Sequence, residues 1–418
     1  MSQSASNHES RTSLADYRTA LTTRAARGPA VASVLARLPI AMIGISALLY
    51  VQRETGSFAV AGLVSAGSLV GVSVGAVLQG RLIDRFGPTR PLLTVSLLLA
   101  LSMSALVTAI ESHAETAVLV AFGALTGLTE PMVGSASRAL WGRLLPPGGP
   151  RNAAFSYEAI SMEVFFILGP GVAGLLVMAP WAGTGLVLGV ALQFTGAVLF
   201  ALSPAVRAWG PAAPGSSGSL LGALAGPGMR TLAIAALGFG VVIGFVEVAV
   251  PAAATEAGHA SVGGLLLSAW SLSSVAFGVA YSLRPWPRQL GVRLPILLGG
   301  FGALVALLAW PSSLWGLALM MLLAGALITP QSTAHSAAIE VVAPSGTAAE
   351  AFGWVLTAVT LGLAAGQSIS GYIVEHAGPG PAFLAASAAG LVLALIVWLL
   401  RGTVRAPRSA PAPELVNA

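Results

Sequence analysis

The chain has no cysteine and no lysine, and only 8% of its 418 residues are charged. Without cysteine there are no disulfides, no thiolate metal sites and no cysteine nucleophile. Without lysine there is no G-x-x-x-x-G-K-[ST] loop to cradle ATP, so any work the protein does must be drawn from a gradient. So little charge also excludes a disordered chain, a nucleic-acid binder and a water-soluble enzyme, each of which needs more charge or a core wrapped in polar surface. What is present is apolar: 56% hydrophobic residues and a mean hydropathy of +0.86, against the usual about 45–50% apolar and about 25% charged. Such a composition belongs in a lipid bilayer.

A helix crosses the hydrocarbon core with about 20 predominantly apolar residues. Twelve such stretches are predicted, at roughly 31–52, 57–79, 92–111, 116–138, 153–178, 183–203, 230–254, 260–283, 294–310, 314–338, 350–374 and 381–401. The runs are continuous and too long for the alternating segments of a barrel. The expected fold class is therefore all-α, with twelve transmembrane helices.

All 20 basic residues are arginine, and their positions set an orientation. With the N-terminus inside, every arginine except Arg37 and Arg53 falls in a cytoplasmic segment, while the external loops carry Glu54, Glu111, Glu115, Glu256 and Glu375. Residues 1–30 read as a cytoplasmic tail, since Glu9 and Asp16 argue against a targeting peptide and the apolar run that follows is long enough to span. An even number of spans leaves residues 402–418 inside as well.

The longest connection, 204–229, is rich in Pro, Gly and Ser and reads as a cytoplasmic linker between bundles 31–203 and 230–401. The two halves repeat. Gly75, Arg81, Arg85 and Arg90 meet Gly278, Arg284, Arg288 and Arg293 at one spacing, and Phe155, Gly169 and Gly174 meet Phe352, Gly366 and Gly371 at another. Secondary transporters are often built from such repeats, with a substrate site near the midplane where the repeats meet.

After the second stretch comes Gly80-Arg81-Leu82-Ile83-Asp84-Arg85-Phe86-Gly87-Pro88-Thr89-Arg90. It resembles the loop signature of the major facilitator superfamily, G-x-x-x-D-[RK]-x-G-x-[RK]-[RK], with Thr89 in place of one basic residue. The resemblance implies two pseudo-symmetric six-helix bundles, and a latch in which Gly80, Asp84, Arg85, Gly87 and Arg90 hold the halves together on the cytoplasmic side in the outward-open state. Balancing Asp84 against Arg81 and Arg85 at the surface is the plainer reading of the same residues.

Charges inside spans are expensive and point to function. Arg37, Glu130, Glu158, Glu163 and Glu247 are of this kind. Glu163 falls near the midplane, at about 15 Å into the fifth stretch, and the depths of Arg37, Glu130 and Glu158 are compatible with one polar cluster beside it. Glu163, with Glu158 or Glu130, is expected to carry a coupling proton while Arg37 biases its hold; a structural network neutralised by Arg37 is the alternative. Gly169-Pro170-Gly171-Val172-Ala173-Gly174 resembles part of the family's antiporter motif, G-x-x-x-G-P-x-x-G-G, although Phe165 and Ala173 replace two glycines. Gly169, Pro170 and Gly174 permit a close helix contact. The arginine that drug antiporters of the family carry in the fourth span is absent, since Leu119 and Gly123 occupy the two registers open to it.

Gln193, Trp270, Tyr281, Gln331, His335, Trp354 and Gln367 are polar or aromatic residues within spans, and Gln331 and Trp270 are the expected substrate contacts. The resemblance and the charges together imply a bacterial, monomeric transporter of the inner (plasma) membrane, surrounded by lipid. It would need no cofactor or metal and would export a small amphipathic or drug-like molecule against protons. A sugar or other metabolite is the alternative cargo; an integral membrane sensor or enzyme fits less well, because no H-E-x-x-H motif and no domain-sized loop is present.

Overall fold

The computed structural model describes residues 14–146, 149–210, 223–282, 289–343 and 348–405. Among the described residues every regular element is a helix. Twelve are long and apolar enough to cross a membrane: Arg24–Thr55, Phe58–Ile83, Thr89–Glu111, Thr116–Leu144, Gly149–Leu176, Thr184–Leu202, Pro227–Glu256, Ala260–Gly278, Leu290–Ala309, Leu314–Ile339, Ala351–Ala377 and Pro379–Thr403, hereafter spans one to twelve. Number and order match the hydropathic reading. Outward-facing Leu97, Leu101, Leu199 and Leu395 are each more than half exposed, which suits a surface solvated by acyl chains. The protein is a multi-pass membrane protein.

Span one begins earlier than hydropathy suggests, because Arg24 and Arg27 lower the average while Ala26 and Ala30 pack against Trp141, Leu145 and Ala154. Ahead of it, within the segment expected as a tail, lies a helix, Leu14–Thr22. Its Ala20 is fully buried in the same small cluster. Its Asp16 carboxylate lies over the start of span five, where a Cβ on Gly149 would fall 2.5 Å from Oδ1. A carboxylate suits that place, because a helix N-terminus is electropositive.

The packing repeats at an interval of six spans. One packs with five and six, two with four, and three with six; seven packs with eleven and twelve, eight with ten, and nine with twelve. The first six spans meet the last six along two seams, two against eleven and five against eight. Three spans are interrupted: span one at Leu38–Pro39, span four at Thr129–Met132 around Pro131, and span ten at Ala326–Leu327. Proline lacks an N–H and cannot continue the ladder, and the carbonyls it frees need other donors. Several Ser and Thr in the spans return their hydroxyls to carbonyls of their own helix, as Ser96 does to Leu92 and Thr195 to Ala191, so those hydroxyls are satisfied within the bilayer.

Candidate functional site

The interruptions gather the polar groups. Beside the break in span one, the Arg37 guanidinium is 2% exposed and forms an ion pair of 2.6 Å with fully buried Glu158 of span five. Arg37 Nε donates to the Ser33 carbonyl and hydroxyl, and its Cζ lies 5.7 Å from the Phe165 ring centroid. Glu158 accepts from the Ser137 hydroxyl at 2.7 Å and the Trp141 indole N–H at 2.9 Å, both on the second half of span four. Three spans thus meet on one carboxylate. Arg37 Nη2 is buried without an acceptor.

Glu130 sits in the break of span four and is held separately, accepting from Gln193 of span six at 3.1 Å. The single cluster expected from depth is therefore two groups, since Arg37 pairs with Glu158 and Glu130 is bonded to an amide. The side chains of Glu163 and Asp84 lie outside the described residues.

Gln79 of span two closes the break. Its Nε2 donates to the carbonyls of Glu130 at 2.8 Å and Leu128 at 3.2 Å, while its Oε1 accepts from Met132 N at 3.1 Å. In the second half, Ser274 of span eight does the corresponding service at the break of span ten, bonded to the hydroxyl and the backbone N–H of Thr329 at 2.7 and 3.1 Å. Nothing in one sequence says which neighbour will reach such a break.

The expected substrate residues lie in the core of the last six spans. Trp270 is 6% exposed and packs edge-on to Phe301, which tilts against Phe239, which meets His335. Gln331 is fully buried one turn from His335, with Nε2 at 3.2 Å from the His335 Nε2, and its Oε1 has no partner.

Both seams between the halves are drawn tight at the end away from the chain termini. On span eleven, Gln367, Gly371 and Glu375 form a stripe four residues apart. A Cβ on Gly62 would fall 2.5 Å from the Gln367 carbonyl oxygen, and one on Gly371 would fall 2.5 Å from that of Phe58. Glu375 accepts from the Ser57 hydroxyl at 2.6 Å and from Ala59 N at 3.0 Å, so a carboxylate of the second half caps the N-terminus of span two. On the other seam, a Cβ on Gly174 would lie 2.5 Å from the Ser261 carbonyl, and Gly264 rests on the Pro170 carbonyl. Gly169 packs instead on Ala41 and Met42 of span one. The span-five motif therefore faces two partners, one in each half. Above the seams a cleft of about 570 Å³ opens between the halves, with Arg53, Met178, His259 and Ser261 among its walls.

At the opposite end lies the segment Gly80–Arg90. Span two's helix runs to Phe86, and Gly87 turns the chain at φ 74°, a conformation that favours glycine. Arg85 stacks over Phe86 at 5.2 Å. Around Gly80 the space is open.

A family model described as "Major Facilitator Superfamily" matches residues 30–311. Among solved structures, the nucleoside transporter NupG is similar with a TM-score of 0.74 at 16% identity, over 90% of this chain and 99% of that one. The peptide transporter POT follows with a TM-score of 0.68 at 18% identity, over 91% and 94%. No curated protein matches.

Proposed function

From the premise that the chain belongs to the major facilitator superfamily, and is thus a membrane transporter and not an enzyme, we propose that it moves a small amphipathic or drug-like molecule out of the cell in exchange for protons. The observation that supports alternating access is the closure of the seams: the six-span groups 31–203 and 230–401 close on each other through Glu375, Gly371 and Gly174 at the end away from the chain termini. Apart from Arg37 and Arg53, the arginines lie at the other end, so that end faces the cytoplasm and the structure represents the state closed to the outside. The chain then sits in the bacterial inner membrane with both termini inside and acts as a monomer.

In this reading the Gly80–Arg90 loop is idle here. Asp84, Arg85 and Arg90 engage the second half only when the cytoplasmic side closes, for which the open space at Gly80 leaves room. Arg37, Glu158, Glu130 and Glu163 form the proton-handling set. Glu158 ties spans one, four and five together while ionised; protonation would release Arg37 and let those spans move independently. Gln331, with an unpartnered amide oxygen, and Trp270 are the polar and aromatic contacts offered to cargo when the second half rearranges.

Cells with and without the gene, given a panel of toxic amphipathic compounds and sugars with and without a protonophore, test this. The gene should lower accumulation of at least one amphipathic compound, and the protonophore should abolish the difference. Export that ignores the protonophore, or Glu163→Gln and Glu158→Gln variants that both keep full pH-gradient dependence, would refute proton coupling.

A further inference from the structure

Glu247 of span seven stands apart from the proton-handling set of the first half. Its Oε2 accepts from Gln367 Nε2 at 2.7 Å. Glu247 has no part in the Arg37–Glu158 ion pair. Titratable groups on the elements packed around span seven lie elsewhere along them. Glu375 and His376 stand at the external end of span eleven, Tyr50 and Arg53 at that of span one, and His259 in the turn to span eight. His335 is bonded to Gln331, and Arg293 and Arg401 sit at the cytoplasmic ends of spans nine and twelve. A carboxylate ionised here would have one neutral amide for company, an expensive arrangement within a bilayer.

Gln367 supplies the second observation. It is 7% exposed, and its Oε1 is buried with no partner. An unmet acceptor beside a carboxyl group is explained if the carboxyl is protonated: the acid and the amide then pair twice, Nε2–H to Glu247 Oε2 and Glu247 O–H to Gln367 Oε1. Gln367 is also a seam residue, since its backbone carbonyl is the surface on which Gly62 of span two rests, two turns below the Glu375 cap.

We propose that Glu247 is a proton-carrying residue of this transporter, neutral while the external seam is closed, and that Gln367 transmits its protonation to that seam. The inference rests on the proton-coupled reading and adds a site in the half of the molecule to which that reading assigned none. The step is a protonation: water admitted through the opened external seam gives up a proton, an O–H bond forms on a Glu247 oxygen, and release returns the proton to water on the cytoplasmic side. The sign follows from desolvation. An ionised Glu247 favours the hydrated, open seam, and a neutral one favours the closed seam.

Because the chain has no cysteine, a single Phe58→Cys, at a position 8% exposed in the closed seam, reports opening through its rate of labelling by a fluorescent maleimide. Rates divided by those of the same protein unfolded in detergent remove the thiol's own pH dependence. Labelling should rise about tenfold between about pH 6 and pH 9, the factor that one unit of differential protonation gives. Adding Glu247→Gln should hold it at the low-pH value throughout, and Gln367→Leu should displace the midpoint. If Glu247→Gln does not accumulate, Gln367→Leu alone decides: an unmoved midpoint overturns the proposal. A pH-dependent profile unchanged by Glu247→Gln overturns this inference and leaves proton coupling standing. A flat profile in the otherwise native protein overturns it as well, and a gradient-independent export assay would then remove the wider reading.

Discussion

Replacing Gln79 by leucine would strip the span-four break of one donor and one acceptor that serve three backbone groups. Each buried group left unmet costs about 1–3 kcal/mol, so Gln79→Leu should lower the thermal unfolding temperature in detergent far more than a lipid-facing change such as Leu101→Ala. The Arg37–Glu158 pair calls for a cycle of substitutions. Removing either partner alone should destabilise by about 3–5 kcal/mol, because the survivor is a bare buried charge. The double change to apolar residues should cost much less than the sum, and additive losses would show that the pair is not coupled. Sequence made these charges visible but not their partners. Arg37 meets Glu158, yet Ser137 and Trp141, which fix Glu158 in place, carry no mark among so many serines and apolar residues. The partner of Glu247 is equally unmarked: Gln367 lies 120 residues away on another span.

The interruptions at Pro39 and Pro131 were not marked as such, since Pro170, Pro251 and Pro295 lie inside helices that run on; helices were legible as elements because a span must be long and apolar. The helix Leu14–Thr22 was not, since its docking depends on alanines meeting Trp141 and neighbours and not on a long apolar run. The two glycine sites separate steric from functional effects. Gly264→Val would drive a side chain into the Pro170 carbonyl and Gly174, wedging the external seam apart and raising labelling of a cysteine placed there. Gly80→Ala meets nothing and removes a flexible residue from a helix, a gain of about 0.5–1 kcal/mol. It should therefore leave thermal stability equal or higher while slowing transport, because the open space it occupies is needed when the cytoplasmic side closes. Lowered stability would contradict the structure at that point; unimpaired transport would contradict the latch.

Across the whole molecule, two halves with the same internal packing meet along seams that were not readable from hydropathy, which gives the number of spans and not their rotation. The glycine stripes were visible; which half each one faced was not. Glu375→Gln keeps the shape of the cap on span two and removes its charge, a loss of about 0.3–1 kcal/mol for a carboxylate at a helix N-terminus. Against an equilibrium between inward- and outward-facing forms, that is a shift of about two- to fivefold toward the outward form, measurable by distance distributions between spin labels on spans two and eleven. A shift toward the inward form would mean that the contact opposes closure. The docked helix Leu14–Thr22 has a practical corollary. Since its Asp16 lies over the first turn of span five, a dye attached at exposed Ala15 moves with that span and does not swing on a loose tether. Energy transfer from there to a second dye at Thr403, beside Thr231 at the foot of span seven, would follow the turnover cycle in real time from the cytoplasmic face, with no probe in the path of the cargo.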